Sequence, residues 1–270
     1  MTMTVLAQAE AVDIGWVEMV AASSLIVVAV ALSAWRRLGL EVPLLTASIR
    51  ALAQLLVVGV LFNVIFDAGG ATALAWTWVA VMVAITVGVV QRRAPAIPRL
   101  WPATLFAVVA SAAVSLGLVF GLGVFDHDPA TVVVIAGITL GNVLPGAVLA
   151  ATQVERAYVD EAGQVEALLA LGFDSRGATR FIGPKAARTA LVNQIERTKV
   201  VGLIALPGAM TGLLLAGVDP IDAVLVQVIV MYLILGATAV VVTSVVWAAA
   251  QAAYTDDLRL ADWTRRSESG

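Results

Sequence analysis

The chain has 270 residues, of which 61% are apolar and only 13% are charged, with a net charge of -3 and a mean hydropathy of +0.97. A soluble domain is about half apolar and about a quarter charged, so this composition lacks the polar surface that a water-soluble fold needs. It excludes a soluble enzyme, a disordered chain and a nucleic-acid-binding protein. It predicts an all-α polytopic protein of the lipid bilayer.

Cysteine and histidine usage limits the metal chemistry of the chain. There is no cysteine, and His127 is the single histidine, which excludes disulfides, thiolate sites and multi-histidine sites within one chain. The N-terminal segment before Trp16 contains no Lys or Arg and therefore lacks the positive region of a signal peptide. We expect the first apolar run to be retained as a membrane span.

Seven apolar runs lie between the charged segments of the sequence. A helix needs about 20 apolar residues to cross the ~30 Å hydrocarbon core. Because unpaired backbone polar groups cannot lie in lipid, each run is predicted to be a spanning helix within one transmembrane domain, residues 1–270. The runs are Met19–Trp35, Ala51–Phe66 with Val42–Ile49 before it, Ala68–Gln91, Leu100–Phe125, Pro129–Val154, Val200–Val218 and Ala223–Thr255.

The basic residues predict the orientation of this domain. Apart from Arg50, all of them fall in alternate loops or in the C-terminal tail. Loops rich in Lys and Arg stay on the cytoplasmic side of a membrane. The pattern therefore predicts seven spans with the N-terminus outside and the C-terminus in the cytoplasm of a multi-pass cell-membrane protein.

The segment Gln153–Lys199 is the longest polar stretch, and its apolar residues recur near helical spacing. It is predicted to continue span five as an amphipathic helix that ends at Gly172. A second short helix, capped by Asp174 or Ser175, is expected to stop at Gly183-Pro184. A third helix would run from Lys185 or Ala186 into span six, which completes a cytoplasmic helical hairpin.

The apolar runs contain no Asp or Glu, the ion-binding group that proton- or sodium-coupled carriers place in the membrane. The chain also lacks a phosphate-binding G-x-x-x-x-G-K-[ST] loop. An intramembrane enzyme would need clustered acids, histidine or a Ser/Lys pair at membrane depth, and the spans offer none. A passive channel or carrier, or a permease driven by the ATP of a partner, remains.

A short motif recurs in neighbouring spans: Leu144-Pro145-Gly146-Ala147 in span five and Leu206-Pro207-Gly208-Ala209 in span six. Proline frees a backbone carbonyl, and paired Pro/Gly breaks indicate a binding site. By the helical rise, both prolines lie in the cytoplasmic third of a ~30 Å core. We predict that one constriction of the substrate pathway is lined by Asn142, Pro145, Pro207, Met210 and Thr211. The alternative is that these residues only allow close helix packing.

Arg50 is the basic residue that interrupts an apolar run, and Gln54 follows it one helical turn later. A charged residue within a span suggests a function, so both are candidates for the substrate pathway. The alternative is a structural role, because an arginine near the membrane surface can extend to the headgroups or pair with Gln54 or Glu196.

Asp126-His127-Asp128 combines oxygen and imidazole groups that could bind a metal. A short solvated turn that ends at Pro129 explains the motif equally well. We predict no metal site here.

Four motifs resemble known transport proteins. Glu166–Gly172 resembles the E-A-A-x-x-x-G element with which bacterial ABC importer permeases contact their ATPase, although Leu168 stands at the third position. The block from Lys199 to Pro220 is similar to the FetB-like family of iron-export ABC permeases. The same family is matched by the motif R-A-L-A-Q-L-L that begins at Arg50 and by the pair Gly141-Asn142. The plant aluminium-sensitivity permeases are related to that family.

The resemblance implies a permease subunit that works with a separate cytoplasmic ATPase and a second copy of itself and exports iron or a related metal, free or chelated. ATP and Mg²⁺ would bind to the partner, and this chain would bind no cofactor. The resemblance assigns the ATPase contact to Glu166, Ala167, Leu171, Gly172 and Phe173. Iron prefers carboxylate, imidazole or thiolate ligands, which the spans lack. A chelated substrate, or ligands from two subunits, would remove this conflict.

Overall fold

The computed structural model describes residues 15–67 and 71–265. The N-terminal segment, which is predicted to lie outside the cell, falls largely outside the described residues. Apart from two isolated backbone bridges, the regular structure in the described ranges is helical, which confirms the all-α membrane class. The helices are α1 (Trp16–Arg36), α2 (Glu41–Asp67), α3 (Ala71–Arg93), α4 (Trp101–Gly121), α5 (Pro129–Asp160), α6 (Ala162–Ala170), α7 (Ser175–Lys199), α8 (Gly208–Leu215) and α9 (Pro220–Gln251).

The chain divides into two units, residues 1–71 and residues 72–270. In the first unit, α1 and α2 form a hairpin. The buried Ser33 holds its turn, because the Ser33 hydroxyl donates to Glu41 at 2.8 Å and accepts the backbone N–H of Leu40 at 3.1 Å. Most apolar side chains of both helices are exposed, as expected for helices whose solvent is lipid.

The second unit is built around α5 and α9, which have 32 residues each. Each is about 48 Å long at 1.5 Å per residue and so exceeds the ~30 Å hydrocarbon core. Gly146 lets the two helices approach closely: a Cβ on this residue would lie 2.9 Å from Thr238 Cγ2 and 3.1 Å from Val242 Cγ2. Helices α4 and α7 pack against this pair.

Six helices in the described ranges are long and apolar enough to span a membrane: α1 to α5 and α9. The prediction of a spanning helix over Val200–Val218 is wrong. Residues Val200–Pro207 are irregular, with Gly202 at φ 82, and α8 has only 8 residues, or about 12 Å. Gly202 and Pro207 both disfavour a continuous helix here. The predicted orientation of the termini stays a prediction.

The course of α7 also differs from the expectation that Gly183-Pro184 ends a helix. The helix continues through Pro184 for 25 residues, from Ser175 to Lys199. Pro184 is exposed, so water can satisfy the backbone carbonyl that its missing N–H leaves free. Gly183 has no Cβ to clash with the proline ring. The predicted second and third helices are therefore one.

α7 runs antiparallel to the C-terminal half of α5. Near its middle, Lys185 forms an ion pair with Glu161, and the hydrogen bond that Lys185 donates to this carboxylate raises the pKa of Lys185. Near its end, Arg197 reaches Asn142, which lies about 20 Å along α5 from Pro129. The end of α7, the irregular segment and α8 thus form an interrupted element between the two long helices.

Candidate functional site

A cavity of about 270 Å³ lies where this interrupted element meets α5 and α9. Irregular backbone at membrane depth is tolerated where it is buried in protein or lines a cavity, and Val201 and Ala205–Pro207 line this one. Four polar side chains complete the wall: Asn142, Gln194, Arg197 and Gln227.

Asn142 and Arg197 join α5 to α7 across the cavity. The Asn142 amide nitrogen donates to the carbonyl of Ile138 at 2.7 Å, and its Oδ1 accepts from Arg197 Nη1 at 3.2 Å. The ion pairs found in the described ranges involve other residues. The wall therefore carries an arginine whose charge is not neutralised by an ion pair with any carboxylate that the structure describes.

Gln227, on α9, lines the same cavity as Asn142 and Arg197. Its side chain is buried, and its Oε1 has no hydrogen-bond partner in the described part of the protein. A buried polar atom without a partner is costly in an apolar surrounding. This amide is therefore suited to a ligand or water in the cavity.

A second cavity of about 160 Å³ adjoins the first and shares Asn142, Gln194 and Arg197 with it. Pro145 lines it together with Gly141. Because Pro145 has no N–H, the Gly141 carbonyl one turn earlier lacks its helical partner. The cavity wall thus includes a residue whose carbonyl has no i+4 donor, beside polar side chains.

The predicted pathway residues separate into two sets. Asn142 lies in the walls of both cavities, Pro145 in one and Pro207 in the other, so the structure brings these three together. Met210 and Thr211 lie half-buried on α8 and line neither cavity, and the Thr211 hydroxyl donates to the Pro207 carbonyl at 3.1 Å. Substrate passage past any of the five stays a prediction.

Arg50 and Gln54 lie in the other unit, on α2, and both are exposed. Glu196, considered as a partner for Arg50, instead forms an ion pair with Lys199 at 2.7 Å. The role of Arg50 and Gln54 in the pathway stays a prediction.

Sequence reasoning missed Gln194, Arg197 and Gln227 as wall residues. Gln227 had a detectable signal, because an amide within the long apolar run of α9 needs a partner. Arg197 was masked by the other basic residues of Gln153–Lys199, which resemble a cytoplasmic surface. Only the continuity of α7 brings Gln194 and Arg197, one turn apart, to the cavity.

The proposed ATPase contact forms the turn between α6 and α7. Gly172 adopts the left-handed conformation at φ 88. The Phe173 N–H donates to the Leu168 carbonyl at 3.1 Å and the Gly172 N–H to the Leu169 carbonyl at 3.0 Å, as in a Schellman cap. The following helix starts at once, because the Asp174 carboxylate accepts the Gly177 N–H at 2.7 Å.

Three large apolar side chains are exposed at this turn: Leu171 by 77%, Phe173 by 42% and Phe181 by 59%. We refer to them as the apolar cluster. The rings of Phe173 and Phe181 meet edge to face, with centroids 6.1 Å apart. Glu166 and Ala167 are exposed on the adjoining helix α6, and a groove of about 300 Å³ lies beside Leu171.

Asp126-His127-Asp128 has a capping role in the structure. The Asp128 carboxylate accepts the backbone N–H groups of Ala130 at 2.9 Å and Thr131 at 3.1 Å, and it also accepts the Thr131 hydroxyl. The hydrogen bond from that hydroxyl is the main reason that the pKa of Asp128 lies below its ordinary value. His127 packs on the ring of Phe120, with centroids 4.7 Å apart. The motif therefore forms the turn that begins α5.

The apolar helices, the interrupted element and its polar cavity define a polytopic α-helical membrane protein. The chain belongs to the Uncharacterised protein family UPF0014, whose family model matches residues 16–254. This confirms the resemblance to FetB-like proteins and the assignment to a membrane. No solved structure matches the chain.

Three curated relatives align over most of their length. The rice protein named "UPF0014 membrane protein STAR2" is 35% identical over 84% of this chain and 79% of its own. The Escherichia coli protein named "Probable iron export permease protein FetB" is 30% identical over 78% of this chain and 81% of its own. The Arabidopsis "Protein ALUMINUM SENSITIVE 3" is 31% identical over 84% of this chain and 82% of its own.

Proposed function

We propose that this protein is the permease subunit of an ABC transporter and works with a separate cytoplasmic ATPase. The apolar cluster at the α6–α7 turn is the observation that supports this proposal most directly. Large exposed apolar groups at a polar surface are typical of a protein interface. Charged residues Glu166, Arg176 and Arg180 lie exposed around the cluster, as in the polar rim of such an interface.

The transported substrate is iron or a related metal, free or chelated, in the outward direction. The name of the E. coli relative supports this part of the proposal. Substrate would pass the two cavities at Asn142, Pro145 and Pro207, then Met210 and Thr211. Arg50 and Gln54 on α2 are further candidates. ATP and Mg²⁺ would bind to the ATPase, and a second copy of this chain would complete the transporter.

Helix α7 offers a direct mechanical link between the two sites. It begins next to the apolar cluster and, 25 residues later, ends at the cavity, a distance of about 37 Å. Closure of the ATPase dimer would move Phe173 and Phe181 at one end. Because a packed helix moves as a rigid element, Gln194 and Arg197 at the other end would shift relative to α5 and α9.

Co-purification with the candidate ATPase tests the proposal. Leu171→Glu places a charge in the apolar cluster, and we expect it to weaken the complex about 30-fold, the loss typical of a central interface residue. Leu258→Glu is the matched control, since Leu258 is also an exposed leucine but lies in the segment after α9. It is expected to leave the complex intact.

Two results would contradict the proposal. One is the absence of any complex with the ATPase. The other is a complex that Leu171→Glu does not weaken. Transport by the purified chain in vesicles, without ATPase or nucleotide, would instead indicate an ATP-independent channel or carrier.

A further inference from the structure

We propose that the cavity between α5, α7 and α9 binds the carboxylate or phosphate group of an anionic ligand. Within the proposed transport function, on which this inference rests, the substrate is then recognised as a small organic anion or an anionic metal chelate. A bare metal cation is excluded from this site.

The charge of the cavity wall is the first argument. Arg197 is the charged residue among those that line the cavity. Its guanidinium has several N–H donors, and one of them, Nη1, donates to Asn142 Oδ1 at 3.2 Å. The remaining donors are accessible, because Arg197 is exposed. Guanidinium groups match the geometry of carboxylate and phosphate, which accept two parallel hydrogen bonds.

The ligands that a bare cation needs are missing from the same wall. Carboxylate and imidazole groups are the preferred partners of iron and similar metals. In the ranges that the structure describes, no group of three or more His, Asp or Glu residues is placed to hold a metal ion. A cation would therefore meet the positive charge of Arg197 without compensation, which disfavours its binding.

The buried amide of Gln227 is a second, independent observation that points to a ligand in this cavity. Gln227 is only 5% exposed, it lines the cavity, and its Oε1 has no hydrogen-bond partner in the described residues. A hydroxyl or protonated group of the ligand could donate to it. The ligand would thus combine an anionic group near Arg197 with a hydrogen-bond donor near Gln227.

The cavity volume limits the size of this ligand. About 270 Å³ lies just below the ~300–1,000 Å³ range for small-molecule sites, so the ligand must be small. A hydroxycarboxylate such as citrate combines several carboxylates with a hydroxyl and is a suitable probe. It also tests both sources of the anionic group, since it can be offered free or as its ferric complex.

The test measures binding to the purified full chain in detergent, without ATPase, by isothermal titration calorimetry. The probes are citrate, ferric citrate, inorganic phosphate and Fe²⁺ alone. We expect at least one of the three anions to bind, and Arg197→Gln to weaken it about 10- to 100-fold through loss of a charge-assisted hydrogen bond. Arg197→Lys retains the positive charge and should keep part of the affinity.

Arg188→Gln is the matched control, because Arg188 is an exposed arginine of the same helix that lines neither cavity. It should bind like the unchanged protein. Gln227→Leu provides a second variant that does not alter the charge, and it should weaken citrate binding several-fold. If Arg197→Gln or Gln227→Leu fails to fold, its elution profile will show this, and anion binding to the other variant still tests the proposal.

The results distinguish the sources of the anion. Binding of free citrate or phosphate supports recognition of an organic or inorganic anion, and binding of ferric citrate alone supports recognition of a chelate. Binding of Fe²⁺ alone, no binding of any anion, or anion binding that Arg197→Gln leaves unchanged would overturn the proposal. Because ATPase association is measured separately, failure here leaves the assignment as an ABC permease intact.

Discussion

The side chain of Asp128 caps the beginning of α5. Its carboxylate accepts two backbone N–H groups of the first turn and the Thr131 hydroxyl. These bonds favour the charged form, so the pKa of Asp128 in the folded protein is below that in the unfolded chain. The stabilisation is present above the ordinary pKa of 3.8 and is lost as the pH falls through the lower folded value.

We expect Asp128→Ala to lower the stability by about 1 kcal/mol at neutral pH, since it removes the N-cap. Asp128→Asn should retain the cap, because asparagine is an equally good capping residue. It should also remove the contribution of this residue to acid sensitivity. Melting temperatures in detergent between pH 3 and pH 7 check both expectations. Equal melting temperatures for the unchanged protein and the alanine variant at pH 7 would contradict the capping role.

Gly172 is required by backbone conformation and not by lack of space. Its φ is +88, and a Cβ would meet no atom within 4 Å. Gly172→Ala should therefore cost about 1–2 kcal/mol, the strain of a left-handed alanine. At about 2–4 °C per kcal/mol for a chain of this length, the melting temperature should fall by about 2–8 °C.

Gly163→Ala is the control for this expectation. Gly163 lies within α6, has an ordinary φ, and also has open space around its Cβ position. Alanine favours the helix there, so the melting temperature should be unchanged or slightly higher. A similar loss in both variants would show that the α6–α7 turn is not held by the conformation of Gly172.

At the scale of elements, the contact between α5 and α9 depends on a residue without a side chain. Gly146→Ala would bring a Cβ to 2.9 Å from Thr238 Cγ2 and 3.1 Å from Val242 Cγ2. We expect a destabilisation of about 1–3 kcal/mol from overpacking. Thermal unfolding of the detergent-solubilised protein measures it.

Thr238→Ser removes the nearer methyl group and should recover part of the loss in the double variant with Gly146→Ala. Gly141→Ala is the control on the same helix, because a Cβ at Gly141 meets nothing within 4 Å. Strictly additive effects of Gly146→Ala and Thr238→Ser would argue against direct contact between α5 and α9 at this point.

At the scale of the whole molecule, Tyr158 connects three segments of the second unit. Its hydroxyl lies 3.2 Å from the Thr179 hydroxyl on α7 and 3.0 Å from the Tyr254 hydroxyl after α9. Tyr158→Phe should cost about 1–3 kcal/mol, since buried hydroxyls lose their partner. Tyr232→Phe, at an exposed tyrosine of α9, should change the melting temperature little. Equal effects would contradict the connecting role.

The membrane topology of the chain depends on whether the interrupted element begins and ends on the same side of the membrane or on opposite sides. The chain has no cysteine, so single cysteines can be introduced directly. Arg176→Cys, at the start of α7, should react with an impermeant thiol reagent only from the cytoplasm, and Asp222→Cys, at the start of α9, only from outside. Reaction of both from one side would show that Val200–Val218 enters and leaves the membrane on the same side.

Much of this protein could be predicted from local sequence. Six of the seven apolar runs correctly predicted long apolar helices in the described ranges, because a backbone in lipid must close its own hydrogen bonds. Asp174 and Gly172 predicted the turn between α6 and α7, because capping depends on a few neighbouring residues. The repeated Pro/Gly motif directed attention to Pro145 and Pro207, which line the two cavities together with Asn142, and a role of the three in transport stays a prediction.

Only the tertiary structure decided whether a weak local signal ends a helix. Pro184 does not end α7, because Gly183 and an exposed backbone tolerate it, whereas Gly202 and Pro207 interrupt the sixth apolar run. The structure likewise decided that Arg197 faces a cavity next to Asn142. The sequence alone determined a helical membrane protein with segregated charges, since hydropathy is a local property. The site required the packing of α5, α7 and α9, which depends on contacts between residues far apart in the chain.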